Sequence, residues 1–203
     1  GARDIATALG ASYVQEVVAN ALAISRFYPQ TRCAIELGGQ DAKMIFFRTN
    51  DKGDIEVADM RMNGSCAGGT GAFIDEMAKL MGVGTESGEF EQLASRGTTV
   101  HEVSGRCGVY AKTDIQPLIN EGATKEDLSA SIFQAVVNQT ISGLACGKPI
   151  RGHVAFLGGP LHFLSELKEA FIRTLKLDDE HIIAPENSHL FAAVSYTHLR
   201  AHE

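Results

Sequence analysis

A mixed α/β domain is predicted by three observations. Apolar, strand-like runs come first, at Arg32–Leu37, Lys43–Arg48 and Asp54–Met60. Segments of helical spacing follow them. Two short apolar strands, Val154–Leu157 and Ile182–Ile183, stand among those helices. Strands followed by helices with interspersed strands suit a sheet covered by helices. The chain has 203 residues, 44% hydrophobic and 21% charged, enough for one domain or two small lobes.

Taken in order, Asp4–Arg26 carries helical spacing and stops at Tyr28-Pro29, because the residue before proline is driven out of the helical region. The first three strands read as an antiparallel meander. Gly38-Gly39 turns the chain between the first two, and Asn50-Asp51-Lys52-Gly53 is a hairpin signal between the next two. Helices are predicted at Thr70–Met81, Glu86–Ser95 and Val109–Glu121. Thr124 with Asp127 resembles a capping box that opens a long helix to about Ala145. After the strand at Val154–Leu157 and the turn Gly158-Gly159-Pro160, one helix is expected from about Leu161 to Leu175.

A net charge of −7 argues against nucleic acid or an anionic membrane as partner. No run of 18 apolar residues and no signal peptide is visible. The four cysteines form no CxxC pair, and a chain this rich in core residues needs no disulfide framework, so a reducing cytoplasm is the expected location. Cys33 and Cys146 read as small core residues. The histidines show no ligand spacing and read as surface or loop residues.

Two glycine turns carry the first chemistry. In IELGGQDAK, Ile35–Lys43, an apolar strand runs into Gly38 and Gly39, and the N–H groups of such a turn bind anions. Gln40 can orient a nucleophile and Asp41 can hold a Mg²⁺-bound water. The plain alternative is a hairpin whose glycines supply positive φ. In VAFLGGPLHFLSEL, Val154–Leu167, a second strand ends in Gly158 and Gly159 and a helix begins. The pair, about 120 residues apart in this order, resembles the actin, hexokinase and chaperone ATPase superfold, a ribonuclease H-like fold in which two lobes clamp ATP. That resemblance implies a first phosphate loop upstream. No such stretch exists, and the chain begins without methionine, so the expectation is a fold incomplete at its N-terminus.

Cysteines at helix starts carry the second chemistry. Cys66 opens the glycine turn of NGSCAGGTGAFIDEMA, and Cys107 lies in SGRCGVYAKTD, each just before a predicted helix. A helix N-terminus favours thiolate, the form a metal binds. Two thiolates cannot complete a 4Fe–4S cluster, which takes four, but a twofold dimer supplies them. From the residues alone, metal ligands and small residues at helix starts both remain open. Thr70 can bond a phosphate or ribose or merely start its helix, and Asp75, one turn on, can reach a nucleoside or be solvated. Lys112 and Asp114 can shape the surroundings of Cys107.

These stretches, with SGRCGVYAKTDIQPLI and FLGGPLHF, together resemble the ATP-dependent activators of 2-hydroxyacyl-CoA dehydratases, a family that includes the ATPase subunits of benzoyl-CoA reductase. The resemblance runs from about Gly10 to Phe191, and its wording is nearer the long, multidomain members. It implies a homodimer with one 4Fe–4S cluster held by Cys66 and Cys107 of each chain. It implies ATP and Mg²⁺ bound by Gly38, Gly39, Gly69, Thr70, Gly71, Asp75, Gly158 and Gly159, with Gln40 and Asp41 in the catalytic roles. It further implies ferredoxin or flavodoxin as donor and a dehydratase or benzoyl-CoA-reductase-type enzyme as acceptor. Glu36 departs from the family, many of whose members have Asp there. The rival readings are a small-molecule kinase of the same superfold, of N-acetylhexosamine type, and a regulatory ATP-binding module. Residues 1–194 are assigned to a partial ATPase domain of weak or no turnover, and 195–203 (SYTHLRAHE) to a tail of other origin.

Overall fold

The computed structural model describes residues 4, 7–10, 15–63, 68–85, 88–191 and 193. One five-stranded sheet organises them. Its strands are β1 (Thr31–Leu37), β2 (Ala42–Thr49), β3 (Ile55–Met62), β4 (His153–Leu157) and β5 (Ile182–Ile183), in the order β3-β2-β1-β4-β5. β1, β2 and β3 form the antiparallel meander, with Leu37 opposite Ala42 at the first turn. β4 then lies parallel to β1, Ile35 beside Phe156, and β5 parallel to β4. The long crossover from β3 to β4 carries most of the helices.

β1 sits in the middle and is buried on both faces, which is why it reads as a nearly unbroken apolar run. Alternate residues of the strands serve two cores. Ile35, Leu37, Met44, Val154 and Phe156 face one, packed with α2 (Gly71–Leu80), α3 (Glu89–Ala94), α4 (Gly108–Asn120), α5 (Lys125–Thr140) and α7 (Ser165–Leu175). Ala34, Ile45, Phe47, Ala155 and Leu157 face the other, packed with Ala21 and Ile24 of α1 (Glu16–Phe27) and with Phe191. Phe133 of α5 and Phe90 of α3 are fully buried with their rings 5.2 Å apart, edge to face. Each such side chain contributes roughly 1.5–3 kcal/mol by burial.

Several expectations change. The helix expected over Leu161–Leu175 is two: α6 (Gly159–Phe163) and α7, broken at Leu164, whose φ −107° and ψ 90° are not helical. The long helix does reach Ala145, but its last turn, Ile141–Ala145, is a π turn. Thr124 does cap α5, accepting from Asp127 N–H at 3.1 Å, but the return half of the box is absent. Asp127 instead accepts from the N–H groups of Thr98 and Thr99 at 2.8 and 2.9 Å, tying the loop before α4 to α5. Cys146 is exposed at the end of the π turn, not in the core. Cys33 is in the core, and burial pushes its thiol up to about 12. Of the first helix, α1 covers the second half, and residues 5, 6 and 11–14 lie outside the described ones. The expected start of α3 at Glu86 and the tail 195–203 also lie outside them.

Candidate nucleotide cleft and cysteine loops

A cleft of about 940 Å³ opens where the turns after β1 and β4 meet the start of α2. Gly39 and Gln40 line it from the first turn, Gly71 and Asp75 from α2, and Gly159 from the second turn. Three stretches far apart in sequence are thus joined. Gly71 N–H donates to the Gly38 carbonyl oxygen at 3.0 Å, and Ala72 N–H to that of Gly39 at 2.7 Å. Two of the four N–H groups that a helix start leaves unpaired are satisfied by the backbone of the first turn. Pro160 packs against Gly71 so closely that a Cβ there would stand 3.2 Å from its ring. Gly158 lies behind the wall with φ +94°, and a Cβ on it would overlap the Leu37 carbonyl oxygen. That contact locks the end of β4 to the end of β1.

The first turn differs from a plain hairpin. Neither Gly38 nor Gly39 has positive φ. Gly38 is required for space: its N–H donates to the Asp41 carbonyl oxygen at 2.8 Å, and the Asp41 carboxylate folds over the position a Cβ would take. Among the described residues, the N–H groups of Gly39 and Gln40 donate no hydrogen bond. Asp41 is not on the cleft wall. Its carboxylate turns to Lys43, at 3.1 Å.

Lys43 is 3% exposed and also lies 3.4 Å from Glu36 and 3.2 Å from Glu16 of α1. Asn20 of α1 donates to the second Glu36 oxygen at 2.7 Å. Burial pushes Glu36 up to about 7 against the pull of Lys43, whereas the surrounding carboxylates outweigh the burial of Lys43 and raise it. Glu36 therefore serves an ion-pair network that pins α1 to the sheet beneath the turn.

The two cysteine motifs are brought to one place. Cys107 is half-buried, reduced, and is the N-cap residue of the 13-residue helix α4. Cys66 lies outside the described residues. The described residues nearest to it in the chain are Asn63 and Gly68. Asn63 accepts from Ala42 N–H at 2.7 Å and donates to the Gly68 carbonyl oxygen at 3.4 Å, closing the neck of that loop. Gly68 sits directly on the backbone of Gly105 and Arg106, where a Cβ would overlap both carbonyl oxygens. Only glycine at position 68 allows the backbone there to approach that of Gly105 and Arg106 so closely. Asp114 accepts from Ser104 N–H at 2.8 Å and holds that second loop. Lys112 of α4 pairs with Glu76 of α2 at 2.6 Å, so the helices that follow the two cysteines are tied together. Thr70 is fully buried at the start of α2, and Gly69, φ +77°, rests against Thr140 of α5. Among the described residues no group of three or more His, Cys, Asp or Glu is placed to hold a metal ion.

The sequence did not announce Lys43, Asn63, Lys79, Glu91 or Phe163. Asn63 immediately before Gly64 was the one local signal, since Asn before glycine favours side chain-to-backbone bonding. The histidines, read as surface or loop residues without ligand spacing, include a close pair. His162 and His189 have ring centroids 4.0 Å apart, and His162 Nδ1 lies 2.9 Å from the Ser188 hydroxyl. Among the described residues no helix is long and apolar enough to cross a membrane.

Known proteins agree with this geometry. The sequence model of the BadF/BadG/BcrA/BcrD ATPase family matches residues 1–185. A 2-hydroxyisocaproyl-CoA dehydratase activator from Clostridioides difficile is 30% identical over 146 residues, 72% of this chain and 52% of its own length. Component A of (R)-2-hydroxyglutaryl-CoA dehydratase from Acidaminococcus fermentans superimposes with a TM-score of 0.82 at 25% identity, over 100% of this chain and 75% of the other. The activator of 2-hydroxyisocaproyl-CoA dehydratase from Clostridium difficile, solved with bound ADPNP, gives 0.75 at 27% identity, over 90% and 64%. The chain spans between about half and two thirds of the curated relatives it matches. The fold is that of the actin- and hexokinase-like ATPases.

Proposed function

The chain belongs to the BadF/BadG/BcrA/BcrD ATPase family, and from that premise we propose that it is the nucleotide-binding part of an ATP-hydrolysing iron–sulfur activator, which passes electrons to a 2-hydroxyacyl-CoA dehydratase or a related acyl-CoA reductase. The observation that carries the proposal is the meeting of the two glycine turns and α2 at one cleft, the first turn bonded directly to that helix, which follows Cys66 in the chain.

ATP lies with its phosphates at the Gly39-Gln40 end, where backbone N–H groups without partners meet the start of α2. Gln40 is on the cleft wall and suits the orientation of an attacking water. Asp41 and Glu36 are the carboxylates nearest the turn, and they are the groups that would serve a Mg²⁺-bound water once Asp41 leaves Lys43. Asp75 and Gly159 line the same cleft, Gly158 locks the strand ends behind Gly159, and Gly69 and Thr70 lead into α2 without lining it.

Cys107, at a helix N-terminus and open to solvent on one side, suits ligation of a cluster. Gly68, two residues after Cys66 in the chain, packs on Gly105 and Arg106 just before Cys107, which supports a shared role for the two cysteines. Two cysteines per chain make a second copy of the chain the source of the other two ligands. When bound, a 4Fe–4S cluster supplies one-electron transfer at low potential, and a ferredoxin or flavodoxin is the class of donor that would load it. What the chain contributes is linkage. Any shift of the first turn on nucleotide binding acts on the Gly38 and Gly39 carbonyls, hence on α2, and through Lys112–Glu76 on α4. Three of the relatives are dehydratase activators by name, which favours this reading over the N-acetylhexosamine-type kinase.

The test is iron, sulfide and native mass on anaerobically purified protein. About four irons per pair of chains are expected, lost in Cys66→Ala and in Cys107→Ala and kept in Cys33→Ala. Protein that takes up no iron on reconstitution, with all cysteines intact, overturns the iron–sulfur reading.

A further inference from the structure

The stretches that lead into α2 and α4 rest on the end of a third helix, α5. Gly105 has no room for a side chain: a Cβ on it would overlap the Ala135 carbonyl oxygen and stand 2.9 Å from Gln139 Cβ. A Cβ on Gly69 would stand 3.0 Å from Thr140 Oγ1 and 3.6 Å from Gln139 Cγ. Gln139 therefore lies against both stretches. Gly68 in turn sits on Gly105 and Arg106. A cavity of about 270 Å³ marks the junction, lined by Asn63, Gly68, Arg106, Gln139 and Thr140. In the chain, Cys66 stands two residues before Gly68 and Cys107 two residues after Gly105.

This seat is held from behind. α5 passes at Thr140 into the π turn Ile141–Ala145, whose Leu144 and Ala145 are buried in the main core. The turn packs against β2 and β3. A π turn carries an extra residue, so it resets the rotation of the chain just where the two stretches rest, and such turns recur at functional sites. Thr140 is 2% exposed and its hydroxyl has no hydrogen-bond partner. A buried hydroxyl without a partner contributes nothing through bonding, so what Thr140 supplies is shape.

We propose that Gln139 and Thr140 are positioning residues for the two cysteines: the end of α5 is the seat that fixes the spacing of the stretches bearing Cys66 and Cys107. The proposal rests on the iron–sulfur reading above for what the cysteines hold. The seat itself acts in the single chain, before any iron is bound.

The test uses the chain with Cys33→Ala and Cys146→Ala, which leaves Cys66 and Cys107 as its only thiols. Dibromobimane, which fluoresces once it has joined two thiols, is applied to the iron-free protein, and peptide mapping identifies bridges within one chain. The rate of closure follows the effective concentration of the second thiol, and Gln139→Ala with Thr140→Ala should lower it about fivefold or more. Thr140→Val keeps the shape and should bridge at the parent rate. So should Ser129→Ala, which removes another buried hydroxyl without a partner from the same helix. After anaerobic reconstitution, the EPR spectrum and reduction potential of the iron centre should change in the double variant and not in Thr140→Val. Where the double variant does not fold, Thr140→Ala alone is read against Thr140→Val. The seat is overturned by absence of an intrachain bridge in the parent, by equal rates in parent and double variant, or by an equal fall in Thr140→Val or Ser129→Ala. An unchanged EPR spectrum in the double variant overturns it as well. A parent that bridges its thiols but takes up no iron overturns the iron–sulfur reading instead, and the purpose of the seat with it.

Discussion

Glu36 and Gly158 are the two residues whose chemistry is most constrained by their place. In the unfolded chain Glu36 ionises at its ordinary value near 4.5, and in the fold burial holds it to about 7. A group whose folded value is raised stabilises the fold when protonated, and that contribution is lost as pH rises toward about 7. The carboxyls held low, Asp59, Asp127 and Asp178, have finished titrating by pH 5. His162, lowered by burial and by His189 beside it, works in the opposite sense to Glu36 over this range. The difference between wild type and Glu36→Gln isolates the term. Thermal unfolding between pH 5 and 8 should show wild type losing stability with rising pH relative to Glu36→Gln. A flat difference curve would show that burial does not hold the Glu36 carboxyl up against the pull of Lys43. Gly158 occupies φ +94°, ψ 161°, a region only glycine adopts without strain, with the Leu37 carbonyl where a side chain would begin. Gly158→Ala should cost about 2–4 kcal/mol in urea denaturation, and a cost below about 1 kcal/mol would show that the β1–β4 lock is not rigid.

At the scale of elements, the loops are held by side chains that reach across sequence. Thr124→Ala removes a true N-cap and should cost about 1 kcal/mol, read from chemical denaturation. Asp127→Ala should cost more than Thr124→Ala, because it also frees the Thr98 and Thr99 N–H groups. Hydrogen exchange at those two amides should rise in Asp127→Ala and not in Thr124→Ala. The division of α6 from α7 at Leu164 has a similar logic. The break lets Glu91 of α3 enter the start of α7, and it leaves Phe163 on the cleft wall. One unbroken helix would do neither.

At the scale of the whole molecule, the first glycine turn and the loop before α4 meet on either side of the start of α2: the turn bonds to Gly71 and Ala72, and Gly68, just ahead of that helix, sits on the backbone of Gly105 and Arg106. A ligand that binds only the folded cleft stabilises it by mass action. ADPNP at about a hundredfold excess over its dissociation constant should raise the melting temperature by about 5–10 °C for a domain of this size. Gly71→Val, which collides with Pro160 and the first turn, should abolish that shift. No shift with wild type would mean that the cleft does not take the nucleotide.

Much was legible in the chain itself, for a local reason. Strands β1 to β3, the hairpin at Asn50–Gly53, the cap at Thr124 and the long helix through Ala145 follow from apolar period, turn residues and caps, all of which act over a few neighbouring residues. The glycine turns and the helix starts at Thr70 and Cys107 were readable in the same way. Only the tertiary structure decided what these stretches do to one another. Asp41 turns to Lys43, Gly38 is required for space rather than for positive φ, Cys146 lies on the surface, and Glu91 and Phe163 line one cleft. The farthest-reaching of these placements depend on contacts between segments tens of residues apart, Glu91 with Ser165 and Lys43 with Glu16. No local pattern encodes such a contact, because the free energy that selects it comes from burial and pairing across the assembled sheet.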